Sequence, residues 1–491
     1  MRYWTRWIGI GLVLAVIGGA LAASSVQGQD GNTLRGEAFT IANASGLART
    51  INVAGFPVVA VQNPFFQDLG VNGRRCVTCH EPTTNMTVTP DSLRVRFELT
   101  RGTDPIFRPN DGSNSPLADT SSVGARRDAY SMLLTKGVIR VGISVPTTAE
   151  FELLAVDDPY GYAGHNTNGN ELSLFRRPLP ATNLDFLSTV MWDGRETFEK
   201  GAPSAIHFDL ADQSNAATQG HAQRPTPLDE ATRDEIVAYE VGNYTAQIVD
   251  SSAGDLRAAG AQGGPEMLSD RTFTFGGNDP LGCDPTAATC TGSNPNFSPI
   301  VFTEYSAWTR FRDGARAAVA RGEDLFNTLA IPIAAVSGIN DDFGGPGDFN
   351  VPIIGTCTTC HDTPHAGDHS VPAPLDIGVA EPPVPLAKGG DGVHSRFGLP
   401  VGDMPVYTFR NKTTGDIKVV TDPGRALITG LWKDVGRFKG PILRGLAGRA
   451  PYFHNGSAAS LRDVVNFYDV RFGLGLTDAQ KSDLVAFLGT L

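Results

Sequence analysis

Helical spacing of apolar positions is clearest in the C-terminal part of the chain. The Ala-, Leu-, Glu- and Arg-rich run Arg316–Asn327 predicts a helix. A second starts at Ser460, with Asp463 three positions on and an apolar face of Leu461, Val464, Val465 and Tyr468. A third follows the capping box Thr477-Asp478-Ala479-Gln480, with Leu484, Val485, Leu488 and Leu491 at helical spacing. Elsewhere the pattern breaks. Asp104–Tyr160 and Ser214–Phe302, rich in Gly, Asn, Asp, Ser and Pro, read as long loops with short helices. Ala330–Gly355 and Val371–Gly402 read as further loops. At the N-terminus, Arg2 and Arg6 precede the uncharged apolar run Trp7–Ala23, which ends in the small-residue pattern Ala20-Leu21-Ala22. Residues 1–23 therefore read as a signal peptide. The alternative is an uncleaved anchor, since the run sits at the lower limit for a membrane span.

Composition narrows the class. Among 491 residues, 52 acids outnumber 40 bases, so the net charge of −12 argues against a nucleic-acid partner. A 41% hydrophobic share supports globular cores, and 56 Gly with 33 Pro fit a loop-rich chain. Six cysteines are too few for a disulfide-framed scaffold at this length.

Four of those cysteines repeat one pattern: Cys76-Val77-Thr78-Cys79-His80 and Cys357-Thr358-Thr359-Cys360-His361. C-x-x-C-H is the signature of c-type haem attachment. Two thiols at this spacing reach the vinyl groups on one porphyrin edge, and the adjacent His offers its imidazole to iron. A redox C-x-x-C or a zinc knuckle has no need of that His. The expectation is two covalently bound c-type haems, ligated by His80 and His361, in a periplasmic protein that touches a membrane only through an uncleaved signal, if at all. Each motif is assigned its own domain, 24–305 and 306–491. The helices flanking the second motif follow the order of small c-type cytochromes, so the expected fold is mainly α: two cytochrome c-like haem domains with long irregular loops and insertions. Cys283 and Cys290 read as a short disulfide loop.

Two further stretches carry a family resemblance. Gly436–Ser457, GRFKGPILRGLAGRAPYFHNGS, resembles a run of the bacterial dihaem cytochrome c peroxidase and MauG superfamily, "GRFKxPxLRN…APYFHxGS". Arg177–Asn183 leading into Met191-Trp192-Asp193-Gly194-Arg195 resembles its "RxxPxxxN…FWDGR" segment. With both haem motifs in order, the signatures cover about a third of an extended member.

The resemblance implies roles. Trp192 matches the tryptophan that relays electrons between the haems. Tyr468, fourteen residues after His454, stands where peroxidases have a methionine ligand of the second haem and MauG a tyrosine. Its bland reading is packing on its helix. An anionic oxygen ligand stabilises ferric iron, unlike a thioether. Arg177 and Arg449 occupy the family's calcium positions, where a guanidinium repels a dication. Calcium is thus not expected, and the two arginines are expected to pair with haem propionates. The family's distal His position reads Arg96 here. Its catalytic Glu position falls on Asp212 by counting, or on Gln223 beside His221 if an insertion is allowed. Met86 is a fallback axial ligand, and His365, His369 and His394 stay unassigned.

The function so implied is a periplasmic dihaem oxidoreductase that activates peroxide or O2 at the first haem, with electrons from a small redox protein or small molecule. The alternatives are a non-enzymatic dihaem electron carrier and a haem-dependent oxygenase of an apolar substrate.

Overall fold

The computed structural model describes residues 37–162, 171–198, 205–272, 276–280, 297–341 and 349–491. Residues 1–23 and the pair Cys283 and Cys290 lie outside them.

The helices expected near the C-terminus form and explain one another. Gly314–Thr328 packs against Asp478–Leu488, and Phe302, Trp308, Phe326, Leu484, Phe487 and Leu488 share their core. Gly322 permits the crossing: a Cβ there would stand 2.0 Å from the Asp483 carbonyl oxygen. Leu461–Phe472 begins at a reciprocal cap between Ser460 and Asp463, and Asp478–Leu488 at one between Thr477 and Gln480.

The expectation of a mainly α fold is overturned: 31% of residues are helical and 17% lie in strands. A four-stranded antiparallel sheet runs in the order Phe39–Asn43, Gly46–Asn52, Asn243–Asp250, Gly254–Asp255. A three-stranded sheet pairs Val406–Asn411 with Ile417–Val420 on one side and Phe151–Asp157 on the other. Two ribbons join Ile139–Ser144 to Glu171–Arg176 and Ile331–Ile333 to Ile353–Gly355.

The segments read as loops hold much of this structure. Within Ser214–Phe302 lie the end of helix Ala205–Gly220, helix Glu230–Val241 and strand Asn243–Asp250. The reason is chemical. Tyr244, Ala246 and Ile248 alternate with Asn243, Thr245 and Gln247, and the polar set is buried too. It is satisfied by a ladder of side chains: Asn52 to Asn243 at 2.9 Å, Thr50 to Thr245 at 2.8 Å, and Asn43 to Gln247 at 2.9 Å. Buried polar groups persist when paired. Here that pairing turns a loop-like composition into a central strand.

Candidate functional site

Both C-x-x-C-H segments fold into the same short turn. Cys76–Thr78 and Cys357–Thr359 are single 3-10 turns. In each, the threonine two positions after the first cysteine accepts a backbone N–H from three residues back, from Arg75 and from Thr356, at 2.9 Å. The histidine N–H then donates to the first cysteine's carbonyl, at 3.1 Å for His80 and 3.2 Å for His361.

Each imidazole is fixed by the carbonyl six residues on. His80 Nδ1 lies 3.3 Å from the Met86 oxygen, and His361 Nδ1 lies 2.7 Å from the Gly367 oxygen. Both carbonyl residues take a left-handed φ, 59° at Met86 and 70° at Gly367. At the second site glycine is also required by space, because a Cβ on Gly367 would meet the Phe302 ring at 2.6 Å. An aromatic ring supports each histidine: Phe65 against His80 at 6.1 Å and Phe326 against His361 at 5.9 Å. Burial pushes both imidazoles down to about 4, so they are neutral near pH 7. With Nδ1–H committed to a carbonyl, Nε2 carries the lone pair, the tautomer that ligates a metal.

A largely apolar cavity adjoins each motif. The one beside Cys357, Cys360 and His361, about 220 Å³, is walled by Phe326, Val465 and Tyr468 among others. The one beside Cys76, Cys79 and His80, about 170 Å³, is walled by Leu184, Leu210 and Ile236 with polar groups interspersed. Trp192 and Arg177 line both cavities. Trp192 Nε1 donates to the Arg177 carbonyl at 2.8 Å, and its own carbonyl accepts from the Lys439 N–H at 2.9 Å.

Arg177 and Arg449 are both buried and donate to backbone carbonyls, Arg177 to Val88 at 2.7 Å and Arg449 to Ile442 at 2.7 Å. Among the described residues neither joins a carboxylate ion pair. Burial lowers Arg177 to about 9, with Arg449 adding repulsion, and lowers Arg449 to about 10. Two buried cations on a cavity wall suit an anionic group such as a carboxylate. Thiol pairs, oriented neutral imidazoles, apolar cavities and buried guanidiniums together fit a haem at each motif.

Tyr468 lines the second cavity, its ring near those of Phe453, Phe467 and Phe472. Burial drives its phenol above the ordinary value, so a phenolate there needs a cation to hold it.

The first cavity gathers titratable groups. His221 lines it and holds Asp111 through Nδ1 at 2.5 Å, while Asp111 pairs with Arg74. Gln213 lines it as well. Asp212 is outside the cavity lining and shares a hydrogen bond with Glu196, whose carboxyl burial raises to about 7. Gln223 is exposed and 3.4 Å from Asn72. Arg96 braces the first motif, donating to the Thr78 carbonyl at 2.8 Å and pairing with Glu81 and Asp104. The Met86 side chain is fully buried in the core, and its backbone oxygen is what meets His80.

Glu240 is absent from the expectations above. It lines the first cavity, one Oε has no partner among the described residues, and burial raises its carboxyl to about 8. Its signal was its place one helical turn after Ile236, on a buried face. His454 is buried between Phe438, stacked at 3.9 Å, and Trp192, edge-on at 6.2 Å. Asp422 lies 3.9 Å from His454 and also holds Arg176, which bonds Asp193 at 2.5 Å. Arg176 and Arg195 outweigh burial and hold Asp193 at about 2.

No family model matches the chain. It is 33% identical over 144 residues to a cytochrome-c peroxidase of Denitromonas iodatirespirans, IdrP2, covering 28% of this chain and 36% of that protein. It is 31% identical over 155 residues to a cytochrome-c peroxidase of Pseudomonas sp. (strain SCT), IdrP1, with the same coverage. The chain thus spans about a third of the length of the curated relatives it matches. A solved MauG-like protein associated with microbial copper homeostasis aligns over 88% of this chain and 87% of its own, at 15% identity and a TM-score of 0.34, too low to carry an argument. The two peroxidase matches support the resemblance to the cytochrome c peroxidase superfamily. Among the described residues no helix is long and apolar enough to cross a membrane.

Proposed function

We propose that the chain is an exported dihaem c-type oxidoreductase of the cytochrome c peroxidase and MauG type, with two haem-bearing parts divided near residue 305. The supporting observation is that Trp192 lies on the wall common to two cavities, each with its own Cys-x-x-Cys-His turn. Bound haem iron would supply the peroxide or O2 chemistry and the redox capacity.

The chain's residues divide the remaining work. Cys76, Cys79, Cys357 and Cys360 would give thioether links, while His80 and His361 would present Nε2 to iron. Arg177 and Arg449 would meet propionates. Tyr468, on the wall of the second cavity, would hold the iron there through its phenolate oxygen, the proton passing to solvent. His221, with Asp111 on Nδ1, is placed to take or give a proton at Nε2, and Gln213, on the wall of the same cavity, would orient a bound oxygen molecule. Trp192, on the wall shared by the two cavities, would pass electrons between the sites. The electrons come from a small redox protein or a small molecule.

Electron paramagnetic resonance of the ferric protein tests this reading. Wild type is expected to show one high-spin and one low-spin haem, and Tyr468→Phe to lose the low-spin species. Two low-spin haems in wild type would point to a non-enzymatic carrier, and a spectrum unchanged by the substitution would remove the tyrosinate.

A further inference from the structure

Behind the second motif lies a buried group that the proposed function does not use. Asp362 directly follows His361, and His369 ends the loop that supplies the Gly367 carbonyl. Asp279 arrives from the separate segment 276–280. One potential ligand atom from each lies within 4.8 Å of the other two. Asp362 is 0% exposed, His369 4% and Asp279 7%.

The hydrogen bonds set the chemistry of the group. One Asp362 oxygen accepts the Ser370 N–H at 2.7 Å, and the other holds His369 Nδ1. Among the described residues, buried His369 Nε2 has no hydrogen-bond partner. Whichever way the ring is protonated, that nitrogen is a buried polar atom that no described residue satisfies, a costly arrangement unless something else bonds it. A cation on the Nε2 lone pair resolves it, and the carboxylate on Nδ1 is the support that metal-bound histidines usually have.

We propose that His369 and Asp279, with Asp362 fixing the imidazole, hold a divalent first-row metal ion apart from the two haems. The donors are one imidazole nitrogen and carboxylate oxygen, with no thiolate, a set that suits zinc or manganese rather than monovalent copper. Asp368 and Lys439 stand beside the group. A void of about 10 Å³ against His369, Asp368 and Lys439 has room for a single water-sized ligand to complete the shell. The inference does not depend on peroxidase activity.

The test is Zn2+ titration of chelator-treated holoprotein by calorimetry, with haem content measured on the same samples. One equivalent is expected in wild type. Affinity should fall at least tenfold in His369→Gln and in Asp279→Asn. It should hold in His394→Gln, a solvent-facing histidine whose ring bonds Asp391 at 2.6 Å. No uptake by wild type overturns the site, as does equal uptake by wild type and both ligand variants. If one ligand variant loses haem, the wild type and the other variant decide.

Discussion

Around residues 76–80 and 357–361 the backbone is close to interchangeable. Each turn is closed by a threonine, each histidine bonds the carbonyl six residues on, and each ring rests near a phenylalanine. The walls differ. His221, Gln213, Arg195 and Glu240 line the first cavity, whereas Tyr468 and an aromatic cluster line the second. On the proposed reading, matching Cys-x-x-Cys-His turns thus face one cavity equipped to move protons and one equipped with a protein oxygen donor. On the proposed reading, the neighbours rather than the motif decide which iron meets peroxide and which stores charge.

The largest expected effect breaks the proton-handling side of that contrast. His221→Phe should lower peroxide turnover, kcat/KM, about 100-fold, in the range of a lost acid–base group, with both haems still attached. Retained activity would make the first cavity no more specialised than the second.

Glu240 sharpens the contrast through pH. Its carboxyl rises from an ordinary 4.5 to about 8 on burial, so the folded state binds the extra proton. Stability is full below about 4.5 and falls as pH rises toward 8. Glu240→Gln should flatten that decline and stabilise the protein by about 3 kcal/mol at pH 7 in denaturant titrations. An unchanged pH profile would mean that the carboxyl is solvated.

Trp192→Phe tests the link between the sites. It should slow peroxide-driven turnover about tenfold, equivalent to about 1.4 kcal/mol of barrier, without changing haem content. Undiminished turnover would uncouple the two cavities.

The smallest effects should be equal. Thr78→Ala and Thr359→Ala each remove one side-chain acceptor of a backbone N–H and should each cost about 1 kcal/mol by thermal denaturation. A marked inequality would show that the two turns are less alike than their hydrogen bonds.

How much of this was legible in the sequence depends on the range of the interaction. The helices Gly314–Thr328, Leu461–Phe472 and Asp478–Leu488 carry their signals locally, in caps and apolar spacing. The haem motifs are local too, and Tyr468 shares the second cavity with its motif although 107 residues separate it from His361. Strand Asn243–Asp250 was missed because its polar face is satisfied by Asn43, Thr50 and Asn52, about two hundred residues away. For the same reason Asp212 and His221, on one helix and just past its end, could not be told apart by counting. Only the fold shows that Asp111 and Arg74 approach His221 while Asp212 turns to Glu196. Glu240 escaped notice because its meaning lies in what surrounds it, an apolar wall.

The claim beneath all of this is that both turns carry covalent haem. Intact mass of the chain, purified from a host able to mature c-type cytochromes, measures it directly. The account predicts a polypeptide heavier by two porphyrins, and by one when Cys357 and Cys360 are both replaced by alanine. The mass of the bare polypeptide would contradict it.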